Sequence, residues 1–406
     1  MPQKSDIWLL WAILFGAIAG LACGWWFGPT MQPIGWVGDL FLDILKMLIL
    51  PLIVAAVISG IGGLGDIRQL GRLGGITVGY YFCTTALAVL VGLILVNIIQ
   101  PGVGVDTFSA DSPTDVIDAG SATGISDLVR SLVTPNLVDA AANLQLLPII
   151  VFCLLFGAAL TTLGERGRTV VDFFNGLNEA MMKLVMWVMY LAPVGVFALI
   201  ANTLGQAGGG AAFWQELQAV GWYTATVIIG LFVHFLLLLA IAGWLGGRGL
   251  DYLRAMGRAL IMAFGTGSSS ATLPITMSAA EAGGADPKTL RFVLPLGATV
   301  NMDGTALYEA VAVMFIAQAY GIDLGFTAQT LIFITATLAA IGAAGIPQAG
   351  LVTMVIVLSA VNLPLEGIGL LLAVDWFLDR CRTTVNVWGD SVGAVVVGRL
   401  SGQTTR

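Results

Sequence analysis

The sequence predicts an all-α integral membrane protein whose C-terminal third holds a polar site inside the membrane. Only 10% of its 406 residues are charged, and the mean hydropathy is +0.93. Soluble domains carry about 25% charged residues, so a water-soluble class is excluded. Apolar stretches long enough to cross a bilayer, which takes about 20 residues, recur along the chain. The polar residues that interrupt them gather in a few C-terminal motifs.

The first six predicted spans are continuous apolar stretches. They lie near residues 7–27, 40–66, 75–100, 143–164, 176–206 and 217–246. The opening stretch is longer than a signal-peptide core and lacks a small-x-small cleavage site, so we expect it to be retained as a helix. Gly16, Gly20 and Gly24 recur at a spacing that lets helices approach closely, either within one chain or between subunits.

The basic residues indicate the orientation of these spans. With the N-terminus inside, twelve of the seventeen lysines and arginines fall on the cytoplasmic side. The loop at 105–118 is acidic and falls outside. The positive-inside rule therefore predicts a multi-pass protein of the cell inner (plasma) membrane, in contact with membrane lipid, with both termini cytoplasmic.

Several functional classes lack support in the sequence. The four cysteines occur singly in apolar or helical segments, as buried small side chains do, without the paired spacing of a metal site or disulfide framework. No nucleotide-binding loop or nucleophile triad occurs. We therefore expect neither an enzyme nor a nucleic-acid partner. His234, in "LFVHFLLLLA", is interpreted as a packed or interfacial imidazole, with a proton relay as the alternative.

Two broken apolar segments follow the sixth span. Residues 264–277 and 338–361 are each interrupted by small residues and a proline, Pro274 in the first and Pro347 in the second. Each is followed by a helix that carries polar groups. This repeated unit is typical of transporters that place their binding site at a repeat interface near the midplane of the membrane.

The last polar helix concentrates its charges on one face. At about 100° per residue, six polar residues fall within about 100° of arc: Asp375, Asp379, Arg382, Thr383, Asn386 and Asp390. A charge facing lipid costs about 2.5–3.5 kcal/mol, so we expect this face to line a protein cavity. Arg382 and Asp379 together complement the carboxylate and the ammonium of an acidic amino acid. The alternative is a purely structural pairing of Arg382 with Asp379.

The other polar helix contains "NMDGT" at 301–305. We predict that Gly304 weakens this helix and exposes backbone carbonyls, which with Asn301, Asp303 and Asp390 would bind sodium. The alternative is a kink with a capped turn. Glu309 follows in an apolar stretch that favours its neutral form, so it is a candidate proton carrier. A permanently neutral, hydrogen-bonded glutamate remains the alternative.

Four motifs carry a family resemblance. In order they are "GTGSSSATLP", "NMDGTALYEA", "AAIGAAGIPQAG" and "DWFLDRCRTTVNVWGD". Their order and spacing resemble the glutamate/aspartate transporters (excitatory amino acid transporter-like) of the dicarboxylate/amino acid:cation symporter family. The resemblance implies eight transmembrane helices plus two re-entrant helical hairpins, inverted repeats, a homotrimer and an elevator-type motion.

The resemblance also implies a division of the chain into two parts. The scaffold would comprise helices 1–2 in residues 7–70 and helices 4–5 in residues 143–206. The moving transport domain would comprise helix 3 in residues 75–100 and, in residues 217–400, helix 6, hairpin 1, helix 7, hairpin 2 and helix 8.

The resemblance assigns residues to the substrate. Arg382 would hold its side-chain carboxylate and Asp379 its amino group. The full implied substrate site is Ser268, Ser269, Thr305, Ile346, Gly350, Asp379, Arg382, Thr383 and Asn386.

The resemblance also implies three sodium sites. The first comprises the Gly297 carbonyl, Asn301, Asn386 and Asp390. The second comprises Tyr81, Thr84, Thr85, Asn301 and Asp303. The third comprises Met302 and carbonyls of Thr299, Ala340, Ile341 and Ala343.

Two positions resemble the animal members more than the archaeal ones. Archaeal relatives have an arginine at the first hairpin tip, where this chain has Gly267, and this chain instead carries Arg380 on the last helix. Glu309 stands where archaeal relatives have glutamine and animal ones a proton-carrying glutamate.

The implied function is a secondary active symporter of L-glutamate or L-aspartate with sodium (Na+) and a proton (H+), with counter-transport of potassium (K+) left open. An anion channel is the first alternative, since the family also conducts anions uncoupled from transport. A dicarboxylate carrier without amine recognition is the second alternative, and Asp379 disfavours it.

Overall fold

The computed structural model describes residues 4–62, 67–104, 130, 132–143, 145–206, 210–343 and 349–402. These residues form α-helices joined by short turns and contain no strand. The helices are α1 Lys4–Phe27, α2 Gly35–Gly62, α3 Ile67–Ile99, α4 Leu137–Ala142, α5 Leu146–Thr162, α6 Glu165–Met189, α7 Ala192–Gln206, α8 Gly210–Trp244, α9 Leu250–Thr266, α10 Ser269–Ala282, α11 Pro287–Val300, α12 Asp303–Ala319, α13 Phe326–Gly342, α14 Ala349–Ala360 and α15 Ile368–Leu400.

Length and composition identify the helices that could cross a membrane. In the described chain four segments qualify, namely Trp11–Gly62, Arg72–Ile99, Trp214–Trp244 and Pro287–Ala319. The first contains most of α1 and all of α2. Helices α6 and α7 give a fifth candidate, bent by 54° at a short break, where the sequence predicted one continuous span. The chain is a multi-pass membrane protein, while the count of eight spans and two hairpins stays a prediction.

One group of helices packs around α2. Helix α2 contacts α5, α6 and α7, and α1 lies along α7. The α1–α7 contact depends on glycine, because a Cβ at Gly16 would overlap the Pro193 carbonyl and one at Gly20 would lie 2.9 Å from the Phe197 carbonyl oxygen. The small-residue spacing at Gly16 and Gly20 therefore serves packing within the chain.

A second group of helices packs around α12. Helix α12 contacts α3, α8, α13, α14 and α15, and every residue of it except Gln318 is buried. A helix that is buried all round occupies the centre of its group. Helix α15 also packs against α8, α9, α10 and α11. The motifs that the sequence singled out thus converge on α12 and α15.

The two broken segments are pairs of helices. Helices α9 and α10 pack against each other and meet at Gly267 and Ser268. Gly267 has a left-handed φ of +61°. The Ser268 side chain caps α10 by accepting from the Ala271 N–H at 3.2 Å. Pro274 lies inside α10, so glycine and the cap make this break, not the proline. Helices α13 and α14 also pack together, and Pro347 lies outside the described residues.

We expect Gly16→Ala to lower the stability of the protein, because its Cβ would push α1 away from the Pro193 carbonyl. Overpacking of this kind costs about 1–3 kcal/mol. Thermal unfolding in detergent measures the effect. The matched control is Gly221→Ala in α8, where a Cβ meets no other atom within 4 Å. Equal melting temperatures for both variants would show that the α1–α7 contact is not close-packed.

Candidate binding site

The site forms where the polypeptide leaves helical geometry between α11 and α12. Asn301 and Met302 have φ/ψ of −107°/85° and −110°/56°, so the unwound stretch predicted at "NMDGT" is confirmed. The predicted cause is wrong, because Gly304 lies within α12. Its small size serves a close helix crossing, since a Cβ there would lie 2.6 Å from the Arg382 carbonyl oxygen on α15.

Arg382 is the cationic centre of the site. Its guanidinium is 1% exposed and binds two carboxylates of its own helix. Nη1 donates to Asp375 Oδ1 at 2.9 Å, and Nη2 donates to Asp379 Oδ1 at 2.7 Å. The pairing with Asp379 is the one that the structural alternative anticipated, and the role of both residues toward substrate stays a prediction. Asp375, which the sequence placed on the same face without a role, is a second partner.

Other groups fix the plane of this guanidinium. The Arg382 Cζ lies 3.9 Å from the centroid of the Tyr308 ring on α12, a cation–π contact. A Cβ at Gly350, at the start of α14, would lie 3.0 Å from the same atom. Nε has no hydrogen-bond partner in the described part of the chain. The guanidinium is therefore held in place and keeps N–H groups for a further carboxylate.

Asn386 joins α15 to the start of α12. Its Oδ1 accepts from the Gly304 N–H at 2.7 Å, and its Nδ2 donates to Thr305 Oγ1 and Met302 Sδ, each at 3.2 Å. Thr383, one turn earlier, donates its hydroxyl to the Asp379 carbonyl at 2.8 Å. The structure thus brings these predicted substrate residues together at one helix crossing.

The predicted hairpin residues are placed less completely. Ser268 and Ser269 are buried at the start of α10, where the first N–H groups of a helix favour an anion, and α10 packs on α15. Ile346 lies outside the described residues. The roles of these three residues toward substrate stay predictions.

Polar side chains of α3 and α8 contact Asp303, the first residue of α12. Its Oδ1 accepts from the Thr85 hydroxyl at 2.8 Å. The Thr84 and Thr85 hydroxyls lie 3.3 and 3.5 Å from Asn301 Oδ1. The other carboxylate oxygen of Asp303, Oδ2, lies 3.1 Å from His234 Nε2 on α8. Tyr81, whose carbonyl accepts from the Thr84 hydroxyl at 3.3 Å, completes the set, so the five residues predicted for the second sodium site are linked by a chain of contacts.

Asp390 forms a neighbouring group with the end of α11. Its Oδ1 accepts from Asn301 Nδ2 at 3.0 Å. A Cβ at Gly297 would overlap both this carboxylate and the Tyr81 hydroxyl, so the absence of a side chain leaves room for them. The Tyr81 hydroxyl itself donates to the Val293 carbonyl at 2.7 Å, while the Tyr81 carbonyl accepts from the Thr84 hydroxyl at 3.3 Å.

The third predicted sodium set is the least defined. Its members Thr299 and Met302 lie at the end of α11 and just after it, and α11 packs against α13, which carries Ala340 and Ile341. Ala343 is the last residue described before residue 349. This set stays a prediction.

Glu309 lies on α12, away from both aspartates that face the cation groups. Its side chain is 0% exposed, and neither carboxyl oxygen has a hydrogen bond of good geometry in the described residues. The Thr353 hydroxyl on α14 and the Arg382 guanidinium are its polar neighbours. Burial in this setting favours the neutral carboxyl.

Two side chains had a larger role than the sequence suggested. Asp375 lies seven residues before Arg382, two helical turns on the same face, so helical periodicity was the signal for its pairing. His234 was expected to be packed or interfacial, yet it contacts Asp303. The signal there was an ionisable residue in the middle of an apolar span. Arg380 donates to the carbonyl of Trp376, a residue of its own helix, at 2.8 Å.

Negative charge is in excess in this core. Among residues whose burial is described, Arg382 is the sole buried arginine or lysine. The described core also holds four buried aspartates, Asp303, Asp375, Asp379 and Asp390, besides the buried carboxyl groups of Glu216 and Glu309. Arg382 pairs with two of them, and Asp303 and Asp390 have no arginine or lysine partner in the described chain. Because an unpaired buried charge is costly, their hydroxyl, amide and carboxylate surroundings fit bound cations.

Comparisons with known proteins agree with this geometry. The model of the "Sodium:dicarboxylate symporter family" matches residues 9–400. Excitatory amino acid transporter 3 of Homo sapiens is 40% identical over 416 residues, which cover 90% of this chain and 78% of the human protein. Excitatory amino acid transporter 1 of Ambystoma tigrinum is 40% identical over 421 residues, covering 90% and 76%. An excitatory amino acid transporter of Caenorhabditis elegans is 38% identical over 437 residues, covering 96% and 86%.

Proposed function

The chain belongs to the sodium:dicarboxylate symporter family, and we propose that it is a secondary active symporter that takes up L-glutamate or L-aspartate with sodium. It is a transporter and not an enzyme. One observation carries the proposal: of the four buried aspartates in the described core, two pair with Arg382 and the other two have no arginine or lysine partner. Bound sodium would offset this excess of negative charge, and an acidic amino acid would engage the arginine.

The substrate site is centred on Arg382. The substrate's side-chain carboxylate would take up the remaining N–H groups of the guanidinium in a two-point contact. Its ammonium would bind Asp379, whose carboxylate lies beside the same guanidinium. Asn386, Thr305 and the start of α10 would hold the α-carboxylate, with Gly350 and Ile346 covering it.

The sodium sites are centred on Asp303 and Asp390. Thr84, Thr85 and Asn301 supply oxygens beside Asp303, and the unwound stretch at Asn301 and Met302 leaves backbone carbonyls near both groups. The positive charge of bound sodium would balance the negative charge of these two carboxylates. Because sodium and substrate would bind together and cross together, the inward sodium gradient would then drive substrate uptake.

The proposed transport cycle is an elevator motion in a homotrimer of the plasma membrane with cytoplasmic termini. The packing around α2 and around α12 supports a scaffold of residues 7–70 and 143–206 and a moving domain of residues 75–100 and 217–400. All site residues described above lie in the second group. The family resemblance adds an anion conductance uncoupled from transport.

A proton and a potassium ion complete the proposed cycle. Glu309 moves with the site and is buried without a full hydrogen bond in the described chain, so it can carry a proton when substrate is bound. Its ionised form, close to Arg382, would favour potassium on the return of the empty carrier.

The general test is uptake into liposomes with each ion gradient imposed separately. We expect a sodium gradient to accumulate radiolabelled aspartate or glutamate inside above its outside concentration. A channel cannot concentrate its solute, so equilibration without accumulation would support the anion-channel alternative.

We expect Arg382→Cys to reduce uptake of acidic substrates by more than about tenfold, since a charge-assisted bidentate contact is worth about 1.5–3 kcal/mol. Asp379 would still bind an amine, so neutral amino acids should compete better. Competition binding measures both effects. The matched control is Arg380→Cys on the same helix, which removes a contact to Trp376 and should keep the preference for acids. An unchanged preference in Arg382→Cys would contradict the assignment.

We expect Asp303→Asn and Asp390→Asn each to raise the sodium concentration needed for half-maximal substrate binding by more than about tenfold, or about 1.4 kcal/mol. Each change removes a full charge from an oxygen cage with no arginine or lysine partner. Asp251→Asn, which removes an exposed pair with Arg254, is the control. Parent-like sodium dependence in both site variants would favour a structural charge network.

We expect Glu309→Gln to bind and exchange substrate but to lose stimulation by an inward proton gradient, because the amide cannot release a proton. Uptake at fixed sodium with an imposed pH difference measures this. Glu281→Gln at the exposed end of α10 is the control. Stimulation equal to the parent's would remove Glu309 as the proton carrier and leave the substrate and sodium assignments intact.

A further inference from the structure

His234 is an unusual residue for its position. It is the single histidine of the chain and lies within the apolar stretch of α8, with a side chain that is 0% exposed. An ionisable side chain inside a membrane span is costly unless it has a specific partner. The partner here is Asp303, whose Oδ2 lies 3.1 Å from His234 Nε2.

The surroundings of the imidazole identify its hydrogen-bonding role. A carboxylate only accepts hydrogen bonds, so the proton of this contact belongs to Nε2. The other nitrogen, Nδ1, is buried and has no hydrogen-bond partner in the described residues. A proton on Nδ1 would therefore be an unsatisfied buried donor. The arrangement that leaves no buried donor unsatisfied is a neutral imidazole that donates from Nε2 to Asp303.

Packing alone does not account for this histidine. The next residue, Phe235, already ties α8 to α15, because its ring stacks on Trp388 at 5.3 Å and its carbonyl accepts from Trp388 Nε1 at 3.2 Å. An apolar residue at position 234 would keep that anchor. What the imidazole adds is a directed hydrogen bond to one oxygen of a carboxylate.

We propose that His234 is a positioning residue for the cation site at Asp303, holding Oδ2 so that Oδ1 faces the hydroxyl and amide oxygens of Thr85 and Asn301. Outer groups that orient a metal-binding carboxylate typically change metal affinity by about 10- to 100-fold when they are removed. His234 would act through Asp303 and would not bind sodium itself. This inference rests on the sodium coupling proposed above.

Sodium binding is the first measurement. Sodium stabilises the folded protein in proportion to its affinity, so melting temperature against sodium concentration, without amino acid, reports binding independently of transport. We expect His234→Leu to raise the half-maximal sodium concentration by about 10-fold or more. His234→Gln should stay within about threefold of the parent, because its amide N–H can reach the place of Nε2. Potassium and choline salts serve as ion controls.

A double variant tests whether the effect passes through Asp303. Residues in one hydrogen-bonded unit have non-additive effects, so His234→Leu should add little to Asp303→Asn. Three results would overturn the proposal: unchanged sodium dependence in His234→Leu, equal loss in His234→Gln and His234→Leu, or additive effects of the histidine and aspartate variants.

The single histidine permits a measurement that does not depend on sodium coupling. Histidine labelled with ¹⁵N in the full chain, purified without a polyhistidine tag and placed in lipid nanodiscs, gives one imidazole to observe by NMR. We expect the neutral form protonated at Nε2, with a downfield N–H that moves in Asp303→Asn. A signal from the Nδ1-protonated form or from an imidazolium would refute the positioning role. Failure of the proposed function would appear separately, as a parent protein that does not respond to sodium.

Discussion

The structure depends on negative charge held where neither water nor lipid can stabilise it. Asp303 and Asp390 are buried in the interior of a membrane protein, where an isolated charge costs several kcal/mol. Arg382 offsets Asp375 and Asp379 only. The unwound stretch between α11 and α12 and the hydroxyls of α3 bring polar atoms to the other two carboxylates, those of Asp303 and Asp390. Such a core is most stable when it is loaded with cations.

Three glycines allow the helices to come close enough to build this core. Side chains at Gly297, Gly304 and Gly389 would collide, respectively, with the Asp390 carboxylate, the Arg382 carbonyl and the Asp303 carboxylate. These contacts bring together α11, α12 and α15, whose polar groups are far apart in sequence. Because backbone and carboxylate fit directly against each other, the site is assembled by helix packing more than by flexible side chains.

The sequence was sufficient for the parts of the site that follow one helix. Periodicity placed Asp379, Arg382 and Asn386 on one face of α15, and their contacts confirm it. Contacts between helices that are distant in sequence could not be predicted in this way. The pairing of His234 with Asp303 joins α8 to α12, and a single polar residue in an apolar helix does not indicate its partner. Gly304 was misjudged for the same reason, since helix propensity does not report a neighbouring backbone.

The amide of Asn301 has a consequence for how the two acidic groups communicate. Its Oδ1 faces Thr84 and Thr85 beside Asp303, while its Nδ2 donates to Asp390. One planar group therefore serves both, and any rotation that improves one contact weakens or strengthens the other. A cation that displaced one carboxylate would therefore act on the other through this amide, and the effect would be reciprocal. One shared side chain would couple the two groups without any movement of a helix.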